Sequence, residues 1–248
     1  MALGQAIVSV RESVVALFRY RQTRPQTLKK GKIRPAQYNG GWGTAFCVVK
    51  DRYLVTAFHV LNGGQPRNPL DRFIVFVVPA NGNAAFHAPV TDFPVERPDL
   101  DLAILEIGAF LTSGIHLPAV PVTFSPLLDG AGVLTVGFPA PEIVGLNIDQ
   151  QGNYAGGQFF LKSHANEGIV SAQYPLGSLL VYELNVGWHH GESGGPVVRL
   201  DNPLAAFTVM QQYRNIASPH GIVAGPHRGC TLAAIQQELT QLGATVIK

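Results

Sequence analysis

The chain has 248 residues, of which 46% are apolar and 14% are charged, and its formal net charge is +2. This much apolar material suffices for one large all-β domain or two smaller packed domains. The small net charge gives no overall field that would require an acidic polymer as partner, so we do not expect nucleic acid binding. The longest apolar run, Phe73 to Ala80, is far shorter than the roughly 20 residues that span a bilayer, so we expect no membrane partner either.

The N-terminal segment and the cysteine content both bear on the cellular compartment. Arg11 and Glu12 interrupt the first apolar stretch, whereas a secretory signal needs an uninterrupted hydrophobic segment. The only two cysteines, Cys47 and Cys230, are too few for the disulfide framework of a secreted domain, and we expect them to be buried free thiols. These features predict a cytoplasmic location.

The first part of the chain predicts a helix, a strand and a loop. Residues 3 to 12 have the apolar spacing of a short amphipathic helix, and residues 13 to 20 are rich in the β-branched and aromatic residues of a strand. The next segment, residues 21 to 39, mixes Pro, Gln and Gly with basic residues, which predicts a mobile surface loop. Whether this basic loop, Arg21 to Arg34, is simply solvated, binds a partner, or is a cleavage or autoinhibition site stays open. Its basic residues are Arg21, Arg24, Lys29, Lys30, Lys32 and Arg34.

Short strands separated by turn residues then recur along the chain, which is typical of barrels or a sandwich. Residues 108 to 130 have weak periodicity and indicate a connection between two halves, so we predict domains over residues 1–122 and 123–248. A C-terminal helix is predicted over Thr231 to Leu242, with Thr231 as N-cap and Gly243 as stop. The predicted strands are 43–49, 53–56, 72–78, 102–107, 133–137, 168–173, 179–184, 196–199 and 205–211.

The sequence Gly-Glu-Ser-Gly-Gly-Pro at residues 191–196 lies between two apolar runs and predicts a tight turn between strands. A serine nucleophile needs backbone N–H groups aimed at the developing oxyanion, and flanking glycines allow the backbone to bend that closely. Ser193 is therefore the candidate nucleophile, and the N–H groups of Gly191 and Ser193 are the candidate oxyanion hole. The alternative is a glycine-rich turn with an incidental serine.

A serine hydroxyl needs a base that accepts its proton and a carboxylate that orients this base. Among eight histidines, His59 ends a predicted strand directly before the turn residues 62–64, where a side chain can face a cleft. Asp101 begins the apolar run Asp-Leu-Ala-Ile-Leu, where its carboxylate can reach a histidine. Taken singly, His59 is equally explained as a surface or core histidine and Asp101 as a turn former.

Four segments together resemble the successive signatures of trypsin-like serine proteases. They are Gly43-Thr-Ala-Phe, Thr56-Ala-Phe-His59, Asp101-Leu-Ala-Ile-Leu105 and Gly191-Glu-Ser-Gly-Gly-Pro196, in that family's order of His, Asp and Ser. Within this superfamily the chain is most similar to the HtrA/Deg-type protease domain, over about residues 8 to 240. That likeness is carried by Ser13-Val-Val, Val136-Gly-Phe-Pro139 and Gly168-Ile-Val-Ser171.

The resemblance implies two packed six-stranded antiparallel β-barrels with the site in the crevice between them. His59 and Asp101 would lie on the first barrel and Ser193 on the second, as the catalytic triad of a serine endopeptidase. Asp99 is the rival carboxylate, but only Asp101 fits the register of the motif. The implied substrates are proteins or peptides, and the implied mechanism needs neither a cofactor nor a metal.

The resemblance also places the walls of the primary specificity pocket in Gly187, Trp188, His189 and His190 and in the strand that contains Met210. Trp188 and Met210 favour an apolar substrate side chain, whereas His189 or His190 would favour an acidic one, and both interpretations stay open. No acidic residue lies six positions before the serine, where trypsin carries one. A metal site at the paired histidines, completed by the candidate base, is a further alternative, although no Cys or carboxylate completes a familiar ligand spacing.

Several features depart from the family pattern. We expect no PDZ domain after residue 248, so the regulation of typical HtrA enzymes does not carry over. Glu192 stands where trypsin-like enzymes carry Asp, so we expect no trypsinogen-style activation; a salt bridge from Glu192 to a basic residue is an alternative that stays open. Val60, not Cys, follows His59, so the disulfide that the family often has at this loop is absent.

Two other functions fit parts of this pattern. A latent or inactive trypsin-like fold that acts as a protein-binding module would retain the same motifs, with the basic loop as its interaction surface. An esterase of the α/β-hydrolase type would share the pentapeptide Gly-x-Ser-x-Gly, but its order of Ser, Asp and His and its α/β pattern do not match. A small protease without a regulatory domain also suggests control by a partner protein.

Overall fold

The computed structural model describes residues 2–29, 32–34, 36–63, 67–79, 85–110, 112, 114–177, 179–187, 189–218 and 221–248. For residues 33, 212–218 and 221–225 the backbone alone is described. Lys30 of the predicted basic loop and Trp188 of the predicted pocket therefore lie outside the described residues.

Strands dominate the described chain, which confirms the predicted all-β class with a helix at each end. A 3-10 turn at Leu232–Ile235 leads into the last helix. The elements in chain order are α1 (Leu3–Arg11), β1 (Val14–Arg24), β2 (Thr27–Lys29), β3 (Lys32–Arg34), β4 (Gln37–Val49), β5 (Tyr53–Ala57), α2 (Phe58–Asn62), β6 (Arg72–Val77), β7 (Phe86–Arg97), β8 (Leu102–Ile107), β9 (Gly132–Gly137), β10 (Glu142–Ile148), β11 (Tyr154–Phe160), β12 (His164–Leu176), β13 (Leu179–Asn185), β14 (Pro196–Arg199), β15 (Ala205–Val209), β16 (Gln212–Ser218), β17 (Gly221–Cys230) and α3 (Gln236–Gln241).

The first unit is a closed antiparallel barrel with the strand order β1-β4-β5-β8-β7-β6. Val15 and Leu17 of β1 belong to the core inside this barrel. Ala16 and Phe18, which point the opposite way, belong to a second core that the barrel shares with the other unit. Because both faces of β1 are covered, its sequence is continuously apolar instead of alternating.

The second unit differs from the predicted six-stranded barrel. It is a seven-stranded sheet with the order β15-β14-β9-β12-β13-β17-β16. A single bridge between Thr208 and Thr231 connects β15 back to the end of β17. The sheet therefore curls towards closure without a continuous ladder there, and β16 is an additional strand at its edge.

The basic segment is not the predicted mobile loop. β1 continues to Arg24 and pairs with β4 as far as Gln37, and β2 pairs with β3 beyond them. The described residues of this two-stranded arm are almost all exposed, including Leu28 at its far end. The prediction was wrong because a strand that extends an existing ladder needs backbone partners and not a core of its own.

A second hairpin, β10–β11, was not predicted. It packs the aromatic rings of Tyr154 and Phe159 against the first unit. The Phe159 ring lies 4.9 Å from that of Phe76 and 5.6 Å from that of Trp42, measured between centroids. Its three glycines lower the β-propensity of these strands, and its stability depends on this packing.

The chain ends as the sequence predicted. The Thr231 side chain accepts a hydrogen bond from the Ala233 N–H, and Leu232, Ile235 and Leu239 are buried. Gly243 has a φ of 89°, which suits a glycine stop. The division near residue 122 stays a prediction. Within the described ranges, no helix has both the length and the apolarity that a bilayer crossing requires.

Both cysteines are buried free thiols, as predicted. Cys47 lies in the core of the barrel, and Cys230 lies at the end of β17 in the second unit. Burial raises the pKa of Cys47 to about 12 and that of Cys230 to about 11, because it removes solvent from the charged thiolate.

Candidate functional site

His59 and Asp101 form a close pair on the first barrel. His59 lies in the first turn of α2, which buries Phe58 and Leu61 and so faces His59 away from the core. Its Nδ1 is 2.8 Å from Asp101 Oδ2, and its backbone N–H donates to Asp101 Oδ1 at 2.8 Å. Because a carboxylate only accepts hydrogen bonds, this contact favours the tautomer with the proton on Nδ1 and leaves Nε2 able to accept a proton.

The backbone of Asp101 is in an unusual conformation for a residue with a side chain. Its φ is 53°, in the left-handed region, at the end of a turn where its N–H donates to the Pro98 carbonyl oxygen. The rival Asp99 is instead paired with Arg97 at 2.8 Å on the surface. The Arg97 guanidinium holds the pKa of Asp99 below its ordinary value, mainly by hydrogen bonding. Asp101 rather than Asp99 therefore contacts the histidine.

Ser193 lies on the loop before β14, and this loop is pressed against the barrel. The Ser193 carbonyl oxygen accepts from the Thr44 N–H at 2.8 Å. A side chain at the next residue, Gly194, would overlap Thr44 O and lie 3.1 Å from the backbone nitrogen of Ala57, two residues before His59. The structure thus brings the serine loop next to the pair on α2. The Ser193 hydroxyl donates to the Gln211 carbonyl oxygen at 3.5 Å, and the described residues include no hydrogen bond between it and His59.

The loop before Ser193 leaves two backbone donors free. Gly191 has a φ of 101°, which favours glycine, and the His190 carbonyl oxygen accepts from the Ala140 N–H at 2.8 Å. Because N–H and C=O of a trans peptide point in opposite directions, the Gly191 N–H faces away from Ala140. Among the described residues, neither this N–H nor that of Ser193 has an acceptor.

Glu192 is buried between these two residues, and the described residues form no salt bridge with it. Only 1% of Glu192 is exposed, and its carboxylate accepts from the His189 N–H at 2.7 Å and from Asn166 Nδ2 at 3.2 Å. In the described chain, no Lys, Arg or His side chain comes within salt-bridge distance of it. Burial raises the pKa of Glu192, and the His189 N–H is the main group that opposes this rise. Neutral backbone and amide donors thus take the place that a cation could have had.

The predicted specificity pocket is only partly described. His189 and His190 are exposed, and Gly187 packs beside Asn166. Met210 is completely buried in the core of the second unit. The substrate preference of this region stays a prediction. Across the described ranges, no three His, Cys, Asp or Glu side chains are grouped as metal ligands would be.

The sequence analysis missed the roles of Thr44 and Gln211. The Thr44 hydroxyl donates to the Gly191 carbonyl oxygen at 2.7 Å and accepts from the Phe138 N–H at 3.0 Å. The Gln211 side chain binds the backbone of Asp101. Thr44 lies in the motif Gly43-Thr-Ala-Phe and Gln211 in the predicted strand 205–211, but only their contacts across the two units show which groups they bind.

Comparisons with known proteins bear on the family and the fold of this chain. The family profile described as a trypsin-like peptidase domain matches residues 43–206, which is more than half of the chain. Among solved structures, the HtrA-type protease AlgW with tripeptide has a TM-score of 0.58 at 19% sequence identity, over 98% of this chain and 65% of that chain. The structure of Deg5 has a TM-score of 0.56 at 19% identity, over 91% of each chain.

These structural likenesses show the fold. This chain spans less than two thirds of the length of the AlgW chains that it resembles, at 63% and 65%. A search of curated proteins gave no match.

Proposed function

Because this chain belongs to the family of trypsin-like peptidase domains, we propose that it is a serine endopeptidase that hydrolyses peptide bonds of proteins or peptides. The observation that supports this best is the contact between His59 and Asp101 at 2.8 Å, next to the loop that carries Ser193. A nucleophile, a base and a carboxylate in this arrangement have a chemical use in acyl transfer.

In the proposed mechanism Ser193 attacks the scissile carbonyl carbon while His59 Nε2 accepts the hydroxyl proton. Asp101 keeps the proton of the imidazole on Nδ1 and stabilises the ring when it becomes positive. His59 then donates its proton to the leaving amine, and a water molecule repeats the sequence to release the acyl group. The free N–H groups of Gly191 and Ser193 would stabilise the oxyanion, each by about 3 kcal/mol. The proposal requires no cofactor.

One observation favours a second candidate function. The Ser193 hydroxyl lies 3.5 Å from the Gln211 carbonyl oxygen, and within the described residues it forms no hydrogen bond with His59. A latent or inactive fold that serves as a protein-binding module would keep this arrangement. In the protease proposal the hydroxyl rotates about χ1 when substrate binds, since catalytic hydrogen bonds are commonly loose in unliganded sites.

Covalent labelling by a fluorophosphonate probe distinguishes the two functions. We expect the wild type to be labelled and both Ser193→Ala and His59→Ala to lose labelling. His116→Ala is the matched control, because His116 forms a similar pair with Asp51 at 2.9 Å away from the serine loop. Retained labelling in this control shows that the loss is specific to His59. A folded wild type that stays unlabelled would contradict the protease proposal and favour the binding module.

The cytoplasmic location and the control by a partner protein belong to this proposal as well. Affinity purification of the full chain from its native cells tests both. We expect recovery from the cytosolic fraction together with a stoichiometric protein partner, and recovery of the chain alone from another fraction would contradict both statements.

A further inference from the structure

Gln211 directly precedes β16, and its side chain is buried with both polar atoms hydrogen-bonded. Its Nε2 donates to the carbonyl oxygens of Leu100 at 2.7 Å and of Asp101 at 2.8 Å. Its Oε1 accepts from the Cys230 N–H at 2.8 Å. A primary amide has two N–H donors and one carbonyl, so glutamine matches these three backbone groups. A glutamate here would bring a negative charge towards two carbonyl oxygens.

Two of these hydrogen bonds are accepted by Leu100 and Asp101, which lie in a turn with a strained backbone. Asp101 has a φ of 53°, a left-handed backbone conformation that is energetically unfavourable for a residue with a side chain. Its carbonyl oxygen accepts from Gln211 and also from the Phe58 N–H at 3.1 Å. The surrounding donors therefore hold a conformation that Asp101 would not keep alone, and this conformation turns its carboxylate towards His59.

The backbone at Gln211 also contacts the serine loop. The Gln211 carbonyl oxygen accepts from the Ser193 hydroxyl at 3.5 Å. Its neighbour Met210 exchanges hydrogen bonds with the loop, accepting from the Gly194 N–H at 2.7 Å and donating to the Gly195 carbonyl oxygen at 2.9 Å. One residue thus joins the segment that carries the carboxylate to the segment that carries the nucleophile.

We infer that Gln211 is a positioning residue that fixes the strained turn of Asp101 relative to Ser193. This inference rests on the proposed protease function for its kinetic consequence. Without the two amide donors, the Asp101 turn relaxes and the carboxylate no longer holds the His59 ring. Misplacement of a reacting group by about 1 Å costs on the order of 100-fold in rate.

The variant that tests this is Gln211→Met, which keeps the length of the side chain and removes all three hydrogen bonds. The matched control is Tyr182→Phe, which also removes a buried hydrogen bond of the second unit, from the Leu127 N–H to the Tyr182 hydroxyl at 3.3 Å, but one that involves neither Asp101 nor the serine loop. We expect fluorophosphonate labelling of Gln211→Met to be about 10- to 100-fold slower than that of the wild type. The control should be labelled at the rate of the wild type.

A second readout does not depend on activity. In the Ser193→Ala background, proton NMR detects the His59 Nδ1–H as a strongly downfield signal when it is hydrogen-bonded to Asp101. We expect this signal to disappear when Gln211→Met is added and to persist when Tyr182→Phe is added. An unlabelled wild type would therefore refute the protease proposal while the NMR signal still tests the inference about Gln211.

The inference is overturned if folded Gln211→Met retains the downfield signal, or if a labelled wild type and Gln211→Met react at the same rate. If Gln211→Met does not fold, Gln211→Asn takes its place. This variant keeps the amide but is one methylene too short to reach both carbonyl oxygens and the Cys230 N–H together. If the downfield His59 signal persists in Gln211→Asn, the inference is wrong. If the signal is lost in this variant, the inference is supported.

Discussion

Glu192 is a carboxylate held without a cation, and this makes stability depend on pH. Burial raises its pKa above the ordinary value of 4.5, so the folded chain binds this proton more tightly than the unfolded chain does. The resulting stabilisation is fully present below about pH 4.5 and is lost as pH rises through the raised pKa. Stability from this residue therefore falls from acidic towards neutral pH, opposite to the behaviour of an ion-paired carboxylate.

We expect Glu192→Gln to remove this dependence. The free energy of unfolding of the wild type should fall relative to that of the variant as pH rises from 4 to 7, as measured by urea unfolding at each pH. Glu167→Gln, at an exposed position, is the control and should parallel the wild type. A difference between Glu192→Gln and wild type that stays constant over this range would contradict the assignment.

For single residues, the sequence predicted contacts between side chains better than contacts of side chains with the backbone. The motif order was sufficient to pair His59 with Asp101, although their catalytic role stays a prediction. The partners of Gln211 are carbonyl oxygens 110 and 111 positions away, and those of Glu192 are an N–H and an amide. Every residue has the same backbone groups, so no residue type marks which of them will face a side chain.

The hairpin β10–β11 is attached to the barrel mainly through aromatic rings. We expect Phe159→Ala to weaken this attachment by about 1 to 2 kcal/mol, because the ring leaves its contacts with Phe76 and Trp42. Hydrogen exchange of amides 142–160 should accelerate about tenfold or more, since 1.4 kcal/mol corresponds to a factor of ten. Exchange in β1 should stay unchanged.

The neighbouring residue provides the control for this experiment. Phe160 is 64% exposed, and Phe160→Ala removes a ring of the same size from the same strand. Equal acceleration in both variants would mean that the ring contacts of Phe159 do not hold the hairpin.

Elements with long apolar runs were predicted, and elements without them were missed. The predicted positions of β5, β6 and β8 agree with the structure to within about a residue, whereas the barrel strand β7 has no such run and was missed. The arm β2–β3 and the hairpin β10–β11 lack such runs. Their pairing depends on an adjoining ladder and on a few aromatic contacts, which hydrophobic periodicity does not report.

Across the whole molecule, Thr44 is a buried link between the two units. Its hydroxyl bonds Gly191 O and Phe138 N, and both would lose their partner in Thr44→Val. Because buried groups without partners cost about 1 to 3 kcal/mol each, we expect a loss of about 2 to 3 kcal/mol in urea unfolding. We also expect slower fluorophosphonate labelling, since the Gly191 peptide loses its anchor.

Thr135→Val is the matched control for this prediction. The Thr135 hydroxyl is also buried but has no hydrogen-bond partner in the part of the chain that the structure describes, so its replacement by an isosteric methyl should be neutral or stabilising. If Thr135→Val destabilises the protein as much as Thr44→Val does, the hydrogen bonds of Thr44 do not explain the effect.

The arrangement of the two units was predicted from resemblance and not from composition. Short strands and turns indicate a barrel or a sandwich equally well, and the four motifs in their order selected the trypsin-like fold. The closed first barrel agrees with that expectation. The second unit has one strand more than expected, β16, and closes through a single bridge. Closure depends on the register of strands far apart in the chain, which local patterns do not specify.

The alkylation rates of the two buried thiols report how often each half of the molecule opens. An alkylating reagent attacks the thiolate, so Cys47 reacts only when the barrel opens and Cys230 only when the end of β17 is exposed. The ratio of the two alkylation rates, read by mass spectrometry on the unmodified protein, therefore compares the opening of the two halves directly. Equal rates identify one cooperative unit, and a faster Cys230 identifies a second half that opens while the barrel stays closed.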